Sequence, residues 1–321
     1  MPLKKRHYAA ALLIGLAAVF YLGPRPPPVV PILLHPVDLP GDLDAYLALR
    51  ESHVHGLRPG LEAHIQWNDA KTKAPTPIAL VYLHSYSGSP LELSPVLETA
   101  GQALHANVFF QRFAGHGLDT EAMKGARVTE WMEEANEAIE IGKRLGQKVV
   151  VVALSTGATL AVWLAVHQAP MAGLVILSPN FAPKDWRGSL LLWPWGDHIA
   201  QLANHGSRYR EWKAENALQA ARWTPRQPVE SLQEMMSLVH YVDGLDFSQI
   251  HVPLLCLYTD ADRTVSVDQI KRRFRDFGSP NKQLVAIPDA RHHVMAGDAF
   301  SPETNQPIAE RIVAFAREVT R

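Results

Sequence analysis

The run Val149-Val150-Val151-Val152-Ala153-Leu154-Ser155-Thr156-Gly157, continuing through Ala158-Thr159-Leu160-Ala161 to Ala165, constrains this chain most. Four consecutive β-branched apolar residues suit a strand buried on both faces, as in the middle of a parallel sheet. From Ala158 onward Ala and Leu dominate, which favours helix. The two periods meet at Ser155, so the serine sits on a very tight turn with its hydroxyl above the strand end. The helix that begins there aims backbone N–H groups at whatever binds above it.

The rest of the chain repeats the strand-then-helix theme. Strands are predicted at 61–67, 78–83, 107–112, 174–177, 252–258 and 283–287. Helices are predicted at 42–53, 91–104, 128–145, 266–277 and 307–319. Such alternation predicts an α/β fold with a mostly parallel, doubly wound sheet. The alternation stops from Phe181 to Ile250, where no strand is legible and five of the 8 tryptophans gather. This insertion, about 182–250, follows a strand's carboxyl end, where open α/β sheets bind ligands. It is read as a helical cap; the alternative is a loose helical extension packed elsewhere.

Ahead of the domain, Lys4-Lys5-Arg6 precedes an apolar stretch from Tyr8 to Leu22, followed by Pro24 and Pro26-Pro27-Pro28. Residues 1–23 are expected to be a signal peptide or signal anchor. About 15 apolar residues fall short of the roughly 20 of a spanning helix, whereas the bulky Val19-Phe20-Tyr21-Leu22 end argues against cleavage. The charge asymmetry places the amino terminus in the cytoplasm. The expected location is therefore inner-membrane-anchored and facing the periplasm or exterior, or secreted if cleaved. Residues 24–41 read as a stiff proline-rich linker, and 42–321 as the domain.

Composition narrows the partners. With 31 basic against 32 acidic residues the net charge is −1, and no basic stripe suggests nucleic acid. No Gly-rich phosphate loop, His-x-x-x-His pair or Cys/His cluster is present, so neither metal nor cofactor is expected. Cys256, the single cysteine, lies in an apolar run and reads as a buried small hydrophobe.

A serine hydroxyl needs a base within hydrogen-bond reach, and the base needs an acid to orient it. The loops after the last two predicted strands carry both residue types. Thr259-Asp260-Ala261-Asp262-Arg263-Thr264-Val265 offers two acids, and Arg291-His292-His293-Val294 offers two bases.

Ala153-Leu154-Ser155-Thr156-Gly157 resembles the nucleophile elbow of the α/β-hydrolases, with Ala153 in the place of the first Gly. The resemblance extends over about residues 60–320, to the serine-hydrolase branch that includes carboxylesterases and monoacylglycerol lipases. Its order of Ser, acid, His implies a triad of Ser155, Asp262 and His293. Asp262 is preferred to Asp260 because Val265 stands three residues after it, and His293 to His292 because Val294 follows it. His84-Ser85-Tyr86-Ser87-Gly88 is similar to the family's oxyanion loop, so the amides of Tyr86 and Thr156 are the implied oxyanion donors. Ser85 replaces a Gly there, which predicts strain if the loop requires positive φ at that point. Phe113-Ala114-Gly115-His116-Gly117 also resembles a family loop, with Ala for Pro.

The implied activity is hydrolysis of a carboxylic ester through an acyl-enzyme. The alternatives are an acyltransferase or S33-like peptidase on the same triad, or a non-catalytic binding module. The expected partner is a small acyl ester or lipid-like molecule, neutral, with an apolar acyl chain. The run Leu190-Leu191-Leu192-Trp193-Pro194-Trp195 is expected either to hold that chain under the cap, or to pack on the body or lie against a membrane.

Overall fold

The computed structural model describes the backbone of residues 3–321. Helix α1 is Leu3–Tyr21, and an irregular segment leads from it to α2, Leu43–Ser52, capped by the Asp42 carboxylate. The alternating body then runs β1 (His64–Gln66), β2 (Thr76–Leu83), α3 (Ser94–Leu104), β3 (Asn107–Phe110), α4 (Val128–Leu145), β4 (Gly146–Leu154), α5 (Thr156–Val166) and β5 (Gly173–Leu177). The insertion holds α6 (Gly196–Ala203), β6 (Tyr209–Glu211), α7 (Ala217–Arg222), β7 (Arg226–Pro228) and α8 (Val229–Asp243). The body closes with β8 (Leu254–Tyr258), α9 (Val267–Asp276), β9 (Lys282–Ala286) and α10 (Asn305–Val319).

Seven strands form one sheet in the order β1-β3-β2-β4-β5-β8-β9, parallel except for β1, which pairs antiparallel with β3. This is the α/β architecture the alternation predicts. Along β4 the side chains divide by strict alternation. Val149, Val151 and Ala153 enter the core layer covered by α2, α4 and α5, while Val150, Val152 and Leu154 enter the layer covered by α3 and α10. Both faces are dry, which is why the strand reads as an unbroken valine run. Cys256 is buried in β8.

The direction of strand addition reverses between β2 and β4: the chain steps outward from β2 to β3, then returns to lay β4 on the other side. Loops leaving the two adjacent carboxyl ends diverge there and leave a crevice. Ser155 follows β4 and His84 follows β2, so they flank it.

Two expectations need correction. The insertion is not free of strands, because β6 and β7 pair antiparallel. Each has three residues and β7 contains Pro228, too short and too polar for a period of two to show. The strand expected over 61–67 contracts to three residues at the sheet edge.

The segment after α1 has neither helix nor strand, yet it is docked. Val29, Ile32, Leu34 and Leu39 pack on the core, and the Asn136 amide donates to the His35 carbonyl at 2.9 Å. No helix among the described residues is long and apolar enough to cross a membrane.

Candidate active site

Ser155 has φ 55° and ψ −114°. Few non-glycine residues occupy this region, and the strain persists only where the surroundings hold it. The Ser155 N–H donates to the Leu177 carbonyl at 2.9 Å, and its carbonyl accepts from Asn180 at 3.2 Å. Two residues on, a Cβ at Gly157 would lie 2.2 Å from the Leu83 carbonyl oxygen, so only glycine lets the new helix pass this close to β2. Ala153 is fully buried and accommodated in the core, which accounts for Ala in the first position of the elbow.

Above the elbow three side chains form a hydrogen-bonded line. The Ser155 hydroxyl lies 2.8 Å from His293 Nε2, and His293 Nδ1 lies 2.7 Å from Asp262 Oδ2. The other oxygen of Asp262 accepts the amides of Thr264 at 2.7 Å and Val265 at 3.0 Å. Burial pushes this carboxyl's pKa up, but the His293 hydrogen bond and charge, with the Val265 and Thr264 amides, outweigh it and hold it below the ordinary value. Asp262 therefore stays ionised beside the imidazole. Neither rival joins this line. Asp260 is exposed and paired with Lys271 at 2.7 Å, and His292 lines the cleft with its ring tilted against Phe300, bonding neither Ser155 nor Asp262.

The loop after β2 supplies the other wall. Tyr86 and Thr156 both line the cleft with Ser155, and neither amide is committed to a protein acceptor among the described residues. The positive φ of this loop falls on Ser87 at 61°, not on Ser85, so the strain expected for Ser85 is displaced by two residues. His84 fixes the loop from below: its Nδ1 donates to the Ser85 carbonyl at 2.8 Å, and its Nε2 accepts the Phe113 amide at 3.1 Å. Burial drives the His84 pKa well down, which keeps that neutral tautomer. The Tyr86 hydroxyl donates to Ser231 Oγ at 2.5 Å, tying the loop to α8 of the insertion.

One residue of this site is not legible in the sequence. Glu92 is fully buried beneath the loop. It accepts the Tyr82 hydroxyl at 2.7 Å, the Ser85 hydroxyl at 2.6 Å and the Ser85 amide. A Cβ on Gly88 would fall 2.2 Å from its Oε2, so the carboxyl fills the space that glycine leaves. Burial raises its pKa from 4.5 to about 7, against the pull of the Ser85 and Tyr82 hydrogen bonds. Its only signal is an acid among apolar neighbours, which reads equally as a helix cap.

The cleft measures about 320 Å³, and Trp212, Trp223, Met235, Val294 and Phe300 make its apolar wall. The Leu190–Trp195 run is not part of that wall. Phe20 meets Trp193 edge to face, and Trp195 donates from its backbone to the Pro24 carbonyl and from its ring to the Val19 carbonyl. Trp193 and Trp195 thus meet the end of α1, whereas Leu192 lies beside Ser237 and Tyr241 of α8 and Trp193 stays half exposed. Among the described residues no group of three or more His, Cys, Asp or Glu side chains is placed to hold a metal ion.

Comparison with known proteins adds four findings. A family model described as serine aminopeptidase, S33 matches residues 102–298. The chain is 25% identical over 244 residues to a thermostable monoacylglycerol lipase of a Bacillus species, covering 74% of this chain and 90% of that one. Its backbone superposes on a structure of the metagenome-derived lipolytic enzymes LipS and LipT with a TM-score of 0.67 at 19% identity, covering 82% of this chain and 99% of that one. For the monoacylglycerol lipase of Paleococcus ferrophilus the TM-score is 0.57 at 16% identity, covering 79% and 99%.

Proposed function

The chain belongs to the serine aminopeptidase S33 family of α/β-hydrolases and is a serine hydrolase of lipase/esterase type, and on that premise we propose that it cleaves carboxylic esters with Ser155, His293 and Asp262 as its triad. The observation that carries this reading is the unbroken hydrogen-bonded line from the Ser155 hydroxyl to Asp262, opening into an apolar-walled cleft. In the proposed reaction His293 Nε2 takes the Ser155 proton as Oγ attacks the ester carbonyl. The carbonyl oxygen gains negative charge facing the amides of Thr156 and Tyr86, where preorganised donors are worth the most. Asp262 stabilises the imidazolium and keeps its tautomer. His293 then protonates the departing alcohol, and a water activated by the same imidazole releases the acid from the acyl-serine.

A peptidase on the same triad would recognise a peptide's free amino terminus with a carboxylate. The side chains lining this cleft include three arginines and no Asp or Glu. The relatives named as monoacylglycerol lipases also favour an ester of a lipid alcohol. The test is a series of p-nitrophenyl esters from acetate to laurate beside aminoacyl amides. Esters cleaved and amides left intact is the expected result; good cleavage of amides with every ester poor overturns it.

The amino-terminal segment belongs to this proposal too. Three cations followed by an apolar helix support export, with the domain beyond the cytoplasmic membrane. Recovery of the full-length protein with residue 1 intact from the cytosolic fraction would sink that part.

A further inference from the structure

Three guanidinium groups stand at the mouth of the cleft. Arg263 follows Asp262 directly, Arg291 lies two residues before His293, and Arg210 comes from β6 of the insertion. They come from three separate loops or strands and line one cavity. None is within salt-bridge distance of a carboxylate among the described residues, and four acids of the neighbouring loops and the insertion are engaged elsewhere. Asp262 holds His293, Asp260 holds Lys271, Glu211 holds Arg226 and Glu230 holds Arg208. Arg210 makes one neutral contact, donating to Gln227 Oε1 at 3.1 Å. A chain of net charge −1 therefore concentrates positive charge over its catalytic serine, and a cleft with low-dielectric walls focuses such a field.

The chemistry sets the side on which this charge acts. His293 delivers its proton to the leaving alcohol, so the alcohol portion lies toward the loops that carry His293 and Asp262. Those are the loops of Arg291 and Arg263. We propose that the ester accepted here carries an anionic group, a phosphate or a carboxylate, on its alcohol portion, held by Arg263, Arg291 and Arg210. This replaces the neutral ester expected from the sequence, and it rests on the ester-hydrolase reading for the side of attachment. A planar guanidinium matches either anion with two parallel N–H donors.

The probes are three octanoyl esters of matched length: octanoylglycerol, octanoylglycerol phosphate and the octanoyl ester of glyceric acid. Binding is read on the Ser155→Ala protein by tryptophan fluorescence, since Trp212 and Trp223 line the cleft. At about 20 mM salt the anionic esters should bind about tenfold tighter than the neutral one, the ratio falling below about threefold at about 0.5 M. In Arg210→Gln/Arg263→Gln/Arg291→Gln the ratio should fall to about one as the attracting charges are removed. Preference for the phosphate, the carboxylate or both supports the proposal and identifies the source of the anion. Equal binding of all three esters, or a preference that survives the triple substitution, overturns it. Turnover by the unmodified protein is read separately. Tight anion binding with none of the esters cleaved removes the hydrolase reading, whereas cleavage of all three with equal affinities removes the anion preference alone.

Discussion

Replacing Glu92 by Gln should make stability less dependent on pH. In the folded protein the Glu92 carboxyl titrates near 7 instead of 4.5, because burial outweighs its hydrogen bonds. A raised carboxyl pKa means that the folded state binds the proton more tightly than the unfolded chain does. The favourable contribution is complete below pH 4.5 and is lost as pH rises through about 7. At about 1.4 kcal/mol per pH unit the loss amounts to about 3 kcal/mol by pH 8. Gln matches the neutral acid, with one oxygen to accept from Tyr82 and the Ser85 amide, and an N–H to donate toward Ser85 Oγ. It has no charge to bury at high pH. Urea unfolding of both proteins from pH 4.5 to 8 gives the measurement: the stability of Glu92→Gln relative to the unmodified chain should climb by about 3 kcal/mol across that range. Parallel curves would refute the assignment of a buried, proton-binding carboxyl under this loop.

Ser155→Ala should lose several orders of magnitude in turnover of an aryl ester with the unfolding midpoint retained; wild-type turnover would remove Ser155 as nucleophile. His293→Ala and Asp262→Asn should each cost 10³-fold or more, on the order of the losses typical for triad members, while His292→Ala and Asp260→Asn stay within about threefold, since neither side chain hydrogen-bonds a member of the line. Saturating kinetics on the four proteins compares them, and a large loss confined to His292 or Asp260 would reverse the assignment. A chain beginning at Pro24 should unfold like the full chain, whereas one beginning at Pro36 should lose about 2–4 kcal/mol in urea, because it lacks the Val29, Ile32 and Leu34 contacts and the His35–Asn136 pair. Equal midpoints for the two chains would show that the docked segment adds nothing.

What the sequence reveals of this molecule follows the range of the forces involved. The elbow is legible because strand, turn and helix are set by neighbours within about ten residues, and Gly157 is fixed by one close approach to Leu83. His293 stands out from His292 through Val294, whose burial turns the loop inward. Asp262 is separated from Asp260 by Val265, whose amide reaches its carboxylate. The Leu190–Trp195 run leaves two readings open for the opposite reason: apolarity does not state which surface a segment meets. The proline-rich stretch reads as a spacer because its Val29, Ile32 and Leu34 have no period, yet the body of the domain recruits them. Glu92 bonds Tyr82 and Ser85 only ten and seven positions away, yet no periodic pattern marks a loop folded back over an acid, and the three arginines meet only where two loops and the insertion converge on the cleft.

The contact between Trp195 and the end of α1 has a consequence for the order in which the chain loses structure. The ring N–H of Trp195 and the Val19 carbonyl are 176 positions apart, so the joint carries the closure entropy of a very long loop and gains little in return. It consists of two hydrogen bonds and one edge-to-face pair, and Trp195 itself is held at φ 63°. Among the described residues, no side chain of α1 belongs to either core layer. Such a joint belongs to the low end of the local-unfolding spectrum. The Trp195 amide should exchange with solvent through openings far cheaper than global unfolding, while the amides of β4 exchange only when the whole sheet is lost.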